Sequence, residues 1–260
     1  MKNKGLSYFL RLQVGFLWLL CMVLCLQLHA QEYLTRNMLM LSNLNTDNGL
    51  SSARVYSIVE AEDGAMWIST KRGVDRYNGQ QVRNYTLATD MQFSDASGRN
   101  IKLTKDSQQH IYAYDNKGKI YIYNKVKDTF QLQVNLMNVL GGSVVLNDLL
   151  VDDKGYFWMA LDRGVYMMAP LSIAGSKDKT AYSSPNKGKY ILKNIYVNHI
   201  RFFGKQLLIG SPSGVFVYSQ NAAQPRLLLR GYSVLSSYHD AKAHQIWLGT
   251  CLLYTSDAAD

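Results

Sequence analysis

The chain has 260 residues, of which 47% are hydrophobic and 18% are charged, and its formal net charge is +9. This composition allows a sizeable buried core and excludes an intrinsically disordered chain. The basic residues are scattered rather than clustered, which is typical of a solvated surface and gives no sign of a nucleic-acid interface.

The first 30 residues have the pattern of a signal peptide. Basic residues precede the apolar run Val14–Leu28, and Ala30 offers a small residue for cleavage. A membrane-spanning helix needs roughly 20 apolar residues, so this run is marginal as an anchor, although an uncleaved anchor stays an alternative. We therefore expect residues 1–30 to direct export to the periplasm, which also argues against a nucleic-acid partner.

Cysteine usage fits an exported domain without disulfides. Cys21 and Cys25 lie inside the leader, and the third cysteine, Cys251, lies close to the C-terminus. Residues 31–250 therefore contain neither a disulfide nor a thiolate metal site. The histidines and carboxylates also lack the spacing of metal ligands, so we expect no metal and no other cofactor.

A pattern with a period of about 45 residues runs through the body of the chain. Each copy has an apolar strand, a turn, a strand with a large anchor residue, and two further strands. A glycine follows six residues after the anchor in each complete copy and suits a positive φ angle or a close backbone approach. The anchors and their glycines are Trp67 with Gly73, Tyr112 with Gly118, Trp158 with Gly164, Leu208 with Gly214, and Trp247.

Four short strands per unit of this length predict an all-β fold, specifically a β-propeller of four-stranded antiparallel blades. Asn78-Gly79 marks a hairpin turn between the third and fourth strands of the first copy. We expect the anchor tryptophans to be wedged between neighbouring blades, with ligand stacking as the alternative. Aromatic residues outside the repeat are the ligand-binding candidates, namely Tyr182, Tyr232 and Tyr238.

The segment NGLSSARVYSIVEAEDGAMWISTKRGVDRYNG, Asn48–Gly79, resembles the two-component regulator propeller repeat. The resemblance rests on the GLSS lead, the acidic-Gly turn, the W-I-x-T strand and the following G-V-x-R-Y-N-G. It implies the periplasmic sensor of a hybrid two-component system. In that family two seven-bladed propellers and a small β-sandwich precede a membrane helix, a histidine kinase, a receiver and often a DNA-binding module.

The resemblance implies a role in ligand binding without catalysis. Such sensors respond to oligosaccharides released from complex glycans, and their parent proteins are expected to be homodimers. The partners would then be an oligosaccharide or other small periplasmic ligand and the remainder of the sensor and kinase chain. The alternatives are the same sensor joined to a different output domain, an exported propeller enzyme that acts on glycans, or a plain periplasmic scaffold.

The last ten residues break the pattern. The fifth copy reaches Trp247, but the position six residues later is Leu253 rather than glycine. The string CLLYTSDAAD, residues 251–260, resembles an in-frame translation of a transposase-end sequencing adapter, TGTCTCTTATACACATCTGACGCTGCCGAC. We therefore expect residues 31–250 to form a partial propeller of about five blades of an expected seven, arranged as an open arc.

Overall fold

The computed structural model falls into two units, Met1–Asn43 and Leu44–Asp260. It describes residues 17–20, 22, 43–87, 100–169, 188–219, 222–240, 242–243 and 245–251. In the first unit, residues 17–20 and 22 are helical. Within the described ranges no helix is long and apolar enough to cross a membrane. The cleavage region predicted around Ala30 and residues 252–260 lie outside the described residues.

The described part of the second unit consists of four four-stranded sheets and one two-stranded sheet, all antiparallel and each with its strands in chain order. Blade 1 contains β1 (Val55–Glu60), β2 (Met66–Thr70), β3 (Gly73–Tyr77) and β4 (Val82–Tyr85). Blade 2 contains β5 (Ile101–Lys105), β6 (Ile111–Asp115), β7 (Lys119–Asn124) and β8 (Thr129–Asn135).

The remaining strands repeat this arrangement. Blade 3 contains β9 (Leu146–Val151), β10 (Phe157–Leu161), β11 (Gly164–Met168) and β12 (Lys189–Lys193). Blade 4 contains β13 (His199–Phe203), β14 (Gln206–Ser211), β15 (Gly214–Ser219) and β16 (Arg226–Arg230). The two strands of blade 5 are β17 (Val234–Asp240) and β18 (Gln245–Thr250). A 3-10 turn at Thr46–Asn48 precedes blade 1, and helix α1 (Leu136–Leu140) joins blades 2 and 3.

The first strands of successive blades pack against one another, from β1 through β5, β9 and β13 to β17. This places the first strands at the axis and the fourth strands at the rim, which is the arrangement of a β-propeller. Among the described strands, the extensive contacts between sheets join only consecutive blades. The outer faces of the terminal blades are exposed, with 55% of Ile58 and 62% of Trp247 accessible to solvent. The predicted all-β, incomplete propeller is confirmed.

The hydrophobic core is divided into clusters between neighbouring blades. Trp67 packs with Tyr85, Tyr121 and Phe130 between blades 1 and 2, and Trp158 lies in the cluster between blades 3 and 4. Both tryptophans are buried. A buried aromatic ring removes roughly 150–250 Å² from water, which corresponds to roughly 4–6 kcal/mol of favourable transfer free energy. Trp67 and Trp158 therefore hold adjacent blades together, as predicted, whereas Trp247 on blade 5 is not wedged between described blades.

A close approach of backbone explains the glycine that opens the third strand. Gly164 and Gly214 have φ angles of +142° and +151°. A Cβ atom on Gly164 would lie 2.0 Å from the carbonyl oxygen of Leu192, and one on Gly214 would lie 2.1 Å from that of Leu229. Both carbonyls belong to the fourth strand of the same blade. Only glycine fits there, because any side chain would overlap the neighbouring backbone.

A buried polar cluster fastens the segment before blade 1 to that blade. Asp75 on β3 has no exposed surface. Its Oδ2 accepts hydrogen bonds from the backbone N–H and the hydroxyl of Ser51 at 2.8 and 2.9 Å, and its Oδ1 accepts one from Asn84 at 2.8 Å. The Ser51 hydroxyl also lies 2.7 Å from that of Thr70. Ser51, the first serine of the GLSS lead, thus has a structural role.

Candidate functional site

Cavities open between neighbouring blades at the end of the sheets where each first strand turns into the second. Three of the cavities formed by the described residues have volumes of about 570 Å³ between blades 1 and 2, about 220 Å³ between blades 2 and 3, and about 710 Å³ between blades 3 and 4. We call the first the blade 1–2 pocket. Its lining includes Ala61, Asp63, Trp67, Arg76, Tyr123 and Asp128.

The same backbone turn joins the first two strands in blades 1, 2 and 3. It begins at Ala61, Asp106 and Asp152, respectively. In each blade the N–H of this residue donates to the carbonyl four residues later, and its own carbonyl accepts from the N–H three residues later, at distances between 2.9 and 3.2 Å. The three positions are therefore structurally equivalent, although blade 1 has alanine where the others have aspartate.

The aspartate of this turn also binds the anchor residue of its blade. In blade 3, Oδ2 of Asp152 accepts a hydrogen bond from Nε1 of Trp158 at 2.9 Å. In blade 2, Oδ2 of Asp106 accepts one from the Tyr112 hydroxyl at 3.1 Å. In blades 2 and 3, the polar atom of the anchor therefore donates a hydrogen bond to the aspartate that lies six residues earlier in the sequence.

Blade 1 lacks this carboxylate because the equivalent residue is Ala61. The indole Nε1 of Trp67 has no acceptor among the described residues, although the side chain is only 2% exposed. Trp67 lines the blade 1–2 pocket, whereas Trp158 does not line the cavity between blades 3 and 4. A hydrogen-bond donor without a partner among the described residues therefore borders the blade 1–2 pocket.

Two arginine–aspartate pairs flank the aromatic wall of the blade 1–2 pocket. The Arg76 guanidinium lies 5.7 Å from the centroid of the Trp67 ring and forms an ion pair with Asp63. Arg83 lies 5.4 Å from the Tyr85 ring centroid and forms an ion pair with Asp128. The full set of charged lining residues is balanced, with Arg76, Arg83 and Lys125 against Glu62, Asp63 and Asp128.

Hydrogen bonds keep the two paired carboxylates ionised. The Tyr123 and Tyr85 hydroxyls donate to Oδ1 of Asp128 at 2.6 and 2.9 Å and lower the pKa of that carboxyl. The backbone N–H of Ala65 lowers the pKa of Asp63; burial opposes this effect, and Arg76 lowers the pKa further. Burial, with the Asp128 hydrogen bond, raises the pKa of Tyr123. The pocket therefore presents carboxylates and neutral phenols at neutral pH.

A second polar arrangement lies on the first strands, near the axis. Nδ1 of His199 lies 2.5 Å from Oδ2 of Asp148, and Nε2 of His199 lies 2.9 Å from the Ser237 hydroxyl. The order of groups is that of a hydrolase triad. However, Asp148 is also bound by the Tyr114 hydroxyl and the backbone N–H of Ile200, and none of the three cavities is lined by this histidine or serine. The four side chains come from four successive blades, so these contacts link blades 2, 3, 4 and 5 and have a structural role.

The ligand-binding candidates chosen from sequence do not meet at one site. Tyr232 and Tyr238 are 39% and 59% exposed, and neither lines any of the three cavities. Tyr182 lies outside the described residues. Of the structural repeat positions, Leu208 packs between blades 4 and 5, and a Cβ on Gly118 would meet the side chains of Leu136 and Val144 at 2.9 Å.

The sequence-based reasoning missed Ala61 and the pocket residues Tyr123 and Asp128. These side chains come from different repeats, so no single copy of the pattern reveals them. A signal was nevertheless present, because an alignment of the copies on their anchors places Ala61 opposite Asp106 and Asp152. An exchange of a turn carboxylate for alanine thus distinguishes blade 1 from blades 2 and 3.

Comparison with known proteins supports the interpretation of the repeat. The family model of the two component regulator propeller matches residues 49–72, which begin at the GLSS lead and end after β2. No curated protein matches the sequence. Since the matched segment spans the turn at Ala61 and the anchor Trp67, the repeat itself forms one wall of the blade 1–2 pocket.

Solved structures share the fold. The extracellular domain of BT3049, described as a hybrid two component system from B. thetaiotaomicron, has a TM-score of 0.60 at 20% identity, over 80% of this chain and 29% of that one. A catalytically inactive virginiamycin B lyase from Staphylococcus aureus has a TM-score of 0.55 at 13% identity, over 80% and 66% of the two chains. The chain thus spans less than a third of the first structure. It carries the two-component regulator propeller repeat on a β-propeller fold, as its sequence predicted.

Proposed function

We propose that this chain is part of the extracytoplasmic sensor of a two-component regulator and binds an oligosaccharide released from a glycan. The observation that carries the proposal is the regulator propeller repeat at residues 49–72, which builds the first half of blade 1. The fold shared with the BT3049 extracellular domain is consistent with it. The apolar leader, Val14–Leu28, supports export, with residues 1–30 as the signal peptide.

Signalling in such a system depends on a difference in affinity. In the parent protein, a homodimer in our proposal, the ligand shifts an equilibrium between sensor arrangements, and the kinase responds to that shift. A ligand changes such an equilibrium only to the extent that it binds one arrangement more tightly than the other. Sites between blades suit this role because a small rotation of one blade changes the distance between their walls.

The electrostatics of the blade 1–2 pocket favour binding over glycoside hydrolysis. A glycosidase uses two carboxyl groups, one of which must stay protonated to serve as the general acid. Here the pKa values of Asp63 and Asp128 are both lowered, and each carboxylate is paired with an arginine. Neither carboxyl therefore suits the acid role at neutral pH, whereas both can accept hydrogen bonds from sugar hydroxyls.

Calorimetric titration of the intact protein with a panel of oligosaccharides tests the proposal. We expect one structural class of oligosaccharide to bind, with no change in the ligand after prolonged incubation. Failure of every oligosaccharide to bind at millimolar concentration would count against the sensor function. Cleavage of a ligand during incubation would instead favour an exported propeller enzyme.

A further inference from the structure

We infer that the blade 1–2 pocket binds a neutral pyranose unit and that Nε1 of Trp67 donates a hydrogen bond to one of its oxygens. The inference rests on the proposed function, since it assumes that the ligand is a saccharide. It adds where the ligand binds, which residue recognises it and which class of saccharide is preferred. No sequence feature outside Ala61 and its equivalents points to this site.

The unsatisfied donor is the first argument. A donor that borders a pocket and has no partner in the protein is available to an oxygen of a bound molecule. Trp67 is 2% exposed, and its Nε1 has no acceptor among the described residues. The equivalent anchors Tyr112 and Trp158 each donate to the aspartate of their own turn. An oxygen of a molecule in the pocket would take the place of that missing carboxylate.

The walls around this donor also suit a saccharide. The pocket volume of about 570 Å³ lies within the usual range of small-molecule sites, roughly 300–1,000 Å³. The rings of Trp67 and Tyr123 lie 4.6 Å apart between their centroids, and Arg76 covers part of the indole. The partly exposed ring of Tyr123, beside carboxylates and guanidinium groups, suits a sugar ring that is apolar on its faces and carries hydroxyls on its edge.

Charge balance decides the class of saccharide. Both arginines of the pocket are already paired, Arg76 with Asp63 and Arg83 with Asp128. A uronate or sulfate would have to displace one of these carboxylates, and the freed carboxylate would then repel it. A neutral sugar needs no such exchange, because its hydroxyls can donate to the carboxylates and accept from the guanidinium groups. The pocket is thus selective against acidic units, although the whole chain is basic.

Replacement of Ala61 by aspartate is the sharpest test, since it introduces the side chain that blades 2 and 3 carry on the same turn. We expect Ala61→Asp to fold normally and to satisfy Nε1 of Trp67, with at least a tenfold loss of affinity for the neutral oligosaccharide. Ala61→Ser is the matched control, because its short hydroxyl does not reach the indole. Its affinity should stay within about twofold of wild type.

The indole N–H signals of ¹⁵N-labelled protein give a readout that does not depend on affinity. Before any ligand is added, the Trp67 indole proton should exchange with water faster than that of Trp158, which is bound to Asp152. Ligand should shift the Trp67 signal in wild type but not in Ala61→Asp. The Trp67→Phe variant assigns the signal.

The outcomes separate this inference from the proposed function. If a saccharide binds wild type and Ala61→Asp equally and leaves the Trp67 signal unmoved, the sensor function stands and the pocket assignment is wrong. Binding of acidic but not neutral saccharides would overturn the inferred ligand class. Slow exchange of the Trp67 indole proton in the free protein would show that the donor is already satisfied. The absence of all saccharide binding would remove both proposals.

Discussion

The imidazole of His199 joins the first strand of blade 4 to the first strand of blade 3, with its Nδ1 2.5 Å from Oδ2 of Asp148. Burial alone would raise the pKa of this aspartate. The hydrogen bond and charge of His199, helped by the backbone N–H of Ile200, outweigh that effect and lower the pKa. The pair therefore makes contact between blades dependent on an ionised carboxylate.

The stability of the propeller should consequently fall in acid. A carboxyl with a lowered pKa in the folded state contributes stability above its unfolded pKa of about 3.9 and loses it as the pH falls through the folded pKa. We expect the free energy of unfolding to decline below about pH 4, and Asp148→Asn to flatten part of that decline. Urea denaturation between pH 3 and pH 7 measures both curves. If the free energy of unfolding fell equally with decreasing pH in the variant and in the wild type, this role of Asp148 would be contradicted.

Gly214 should tolerate no side chain. Gly214→Ala would place a Cβ 2.1 Å from the carbonyl oxygen of Leu229, so we expect a loss of about 2–3 kcal/mol in the free energy of unfolding. Gly142 has open space around its Cα, so Gly142→Ala serves as the control and should change stability by less than about 1 kcal/mol. Thermal and urea unfolding compare the two, and equal effects would argue against the close approach.

Asp75 should be important for attachment of the GLSS lead. Asp75→Ala removes the buried acceptor of three part-buried hydrogen bonds, two from Ser51 and one from Asn84, which should cost about 3 kcal/mol. Asp63→Ala breaks an exposed ion pair and should cost at most about 1 kcal/mol. Denaturant titration separates these values. A similar small loss for both variants would mean that the lead is not held through Asp75.

The hydrogen bond between Asp152 and the anchor Trp158 should stabilise blade 3. Asp152→Ala removes three hydrogen bonds, from the N–H groups of Lys154 and Tyr156 and from Nε1 of Trp158, and should cost about 2 kcal/mol. The indole proton of Trp158 should then exchange faster with water. The adjacent exposed residue provides the control, since Asp153→Ala should change stability by less than about 0.5 kcal/mol. Unchanged exchange in Asp152→Ala would refute the role.

The fold could be predicted from sequence because its determinants are local and repeated. Trp67 with Gly73, and Trp158 with Gly164, mark the second and third strands, and the hairpin predicted at Asn78-Gly79 joins β3 to β4. Helix α1 and strand β12 are among the elements that were not predicted. Helix α1 has a single turn, too short for a helical period, and is capped by Asn135 and Gly141. Strand β12 follows directly after a long polar insertion that obscures the pattern.

The candidate site could not be predicted in the same way. Its walls combine Ala61 and Trp67 with Tyr123 and Asp128 from the next repeat, and their proximity follows from how two blades pack rather than from spacing in sequence. Tyr232 and Tyr238 were chosen because they are aromatic residues outside the repeat, but neither lines the blade 1–2 pocket. Propensity and periodicity specify blades, whereas a site between blades depends on which copies have diverged from the consensus.

In the inferred pocket, the alanine at position 61 illustrates how a repeat protein could gain a binding site through the absence of one side chain. Blades 2 and 3 each use an aspartate to occupy the polar atom of their anchor. Blade 1 lacks that carboxylate, so the indole N–H of its anchor Trp67 has no partner among the described residues. A difference of one side chain between otherwise equivalent turns would then be enough to give one pair of blades its own specificity.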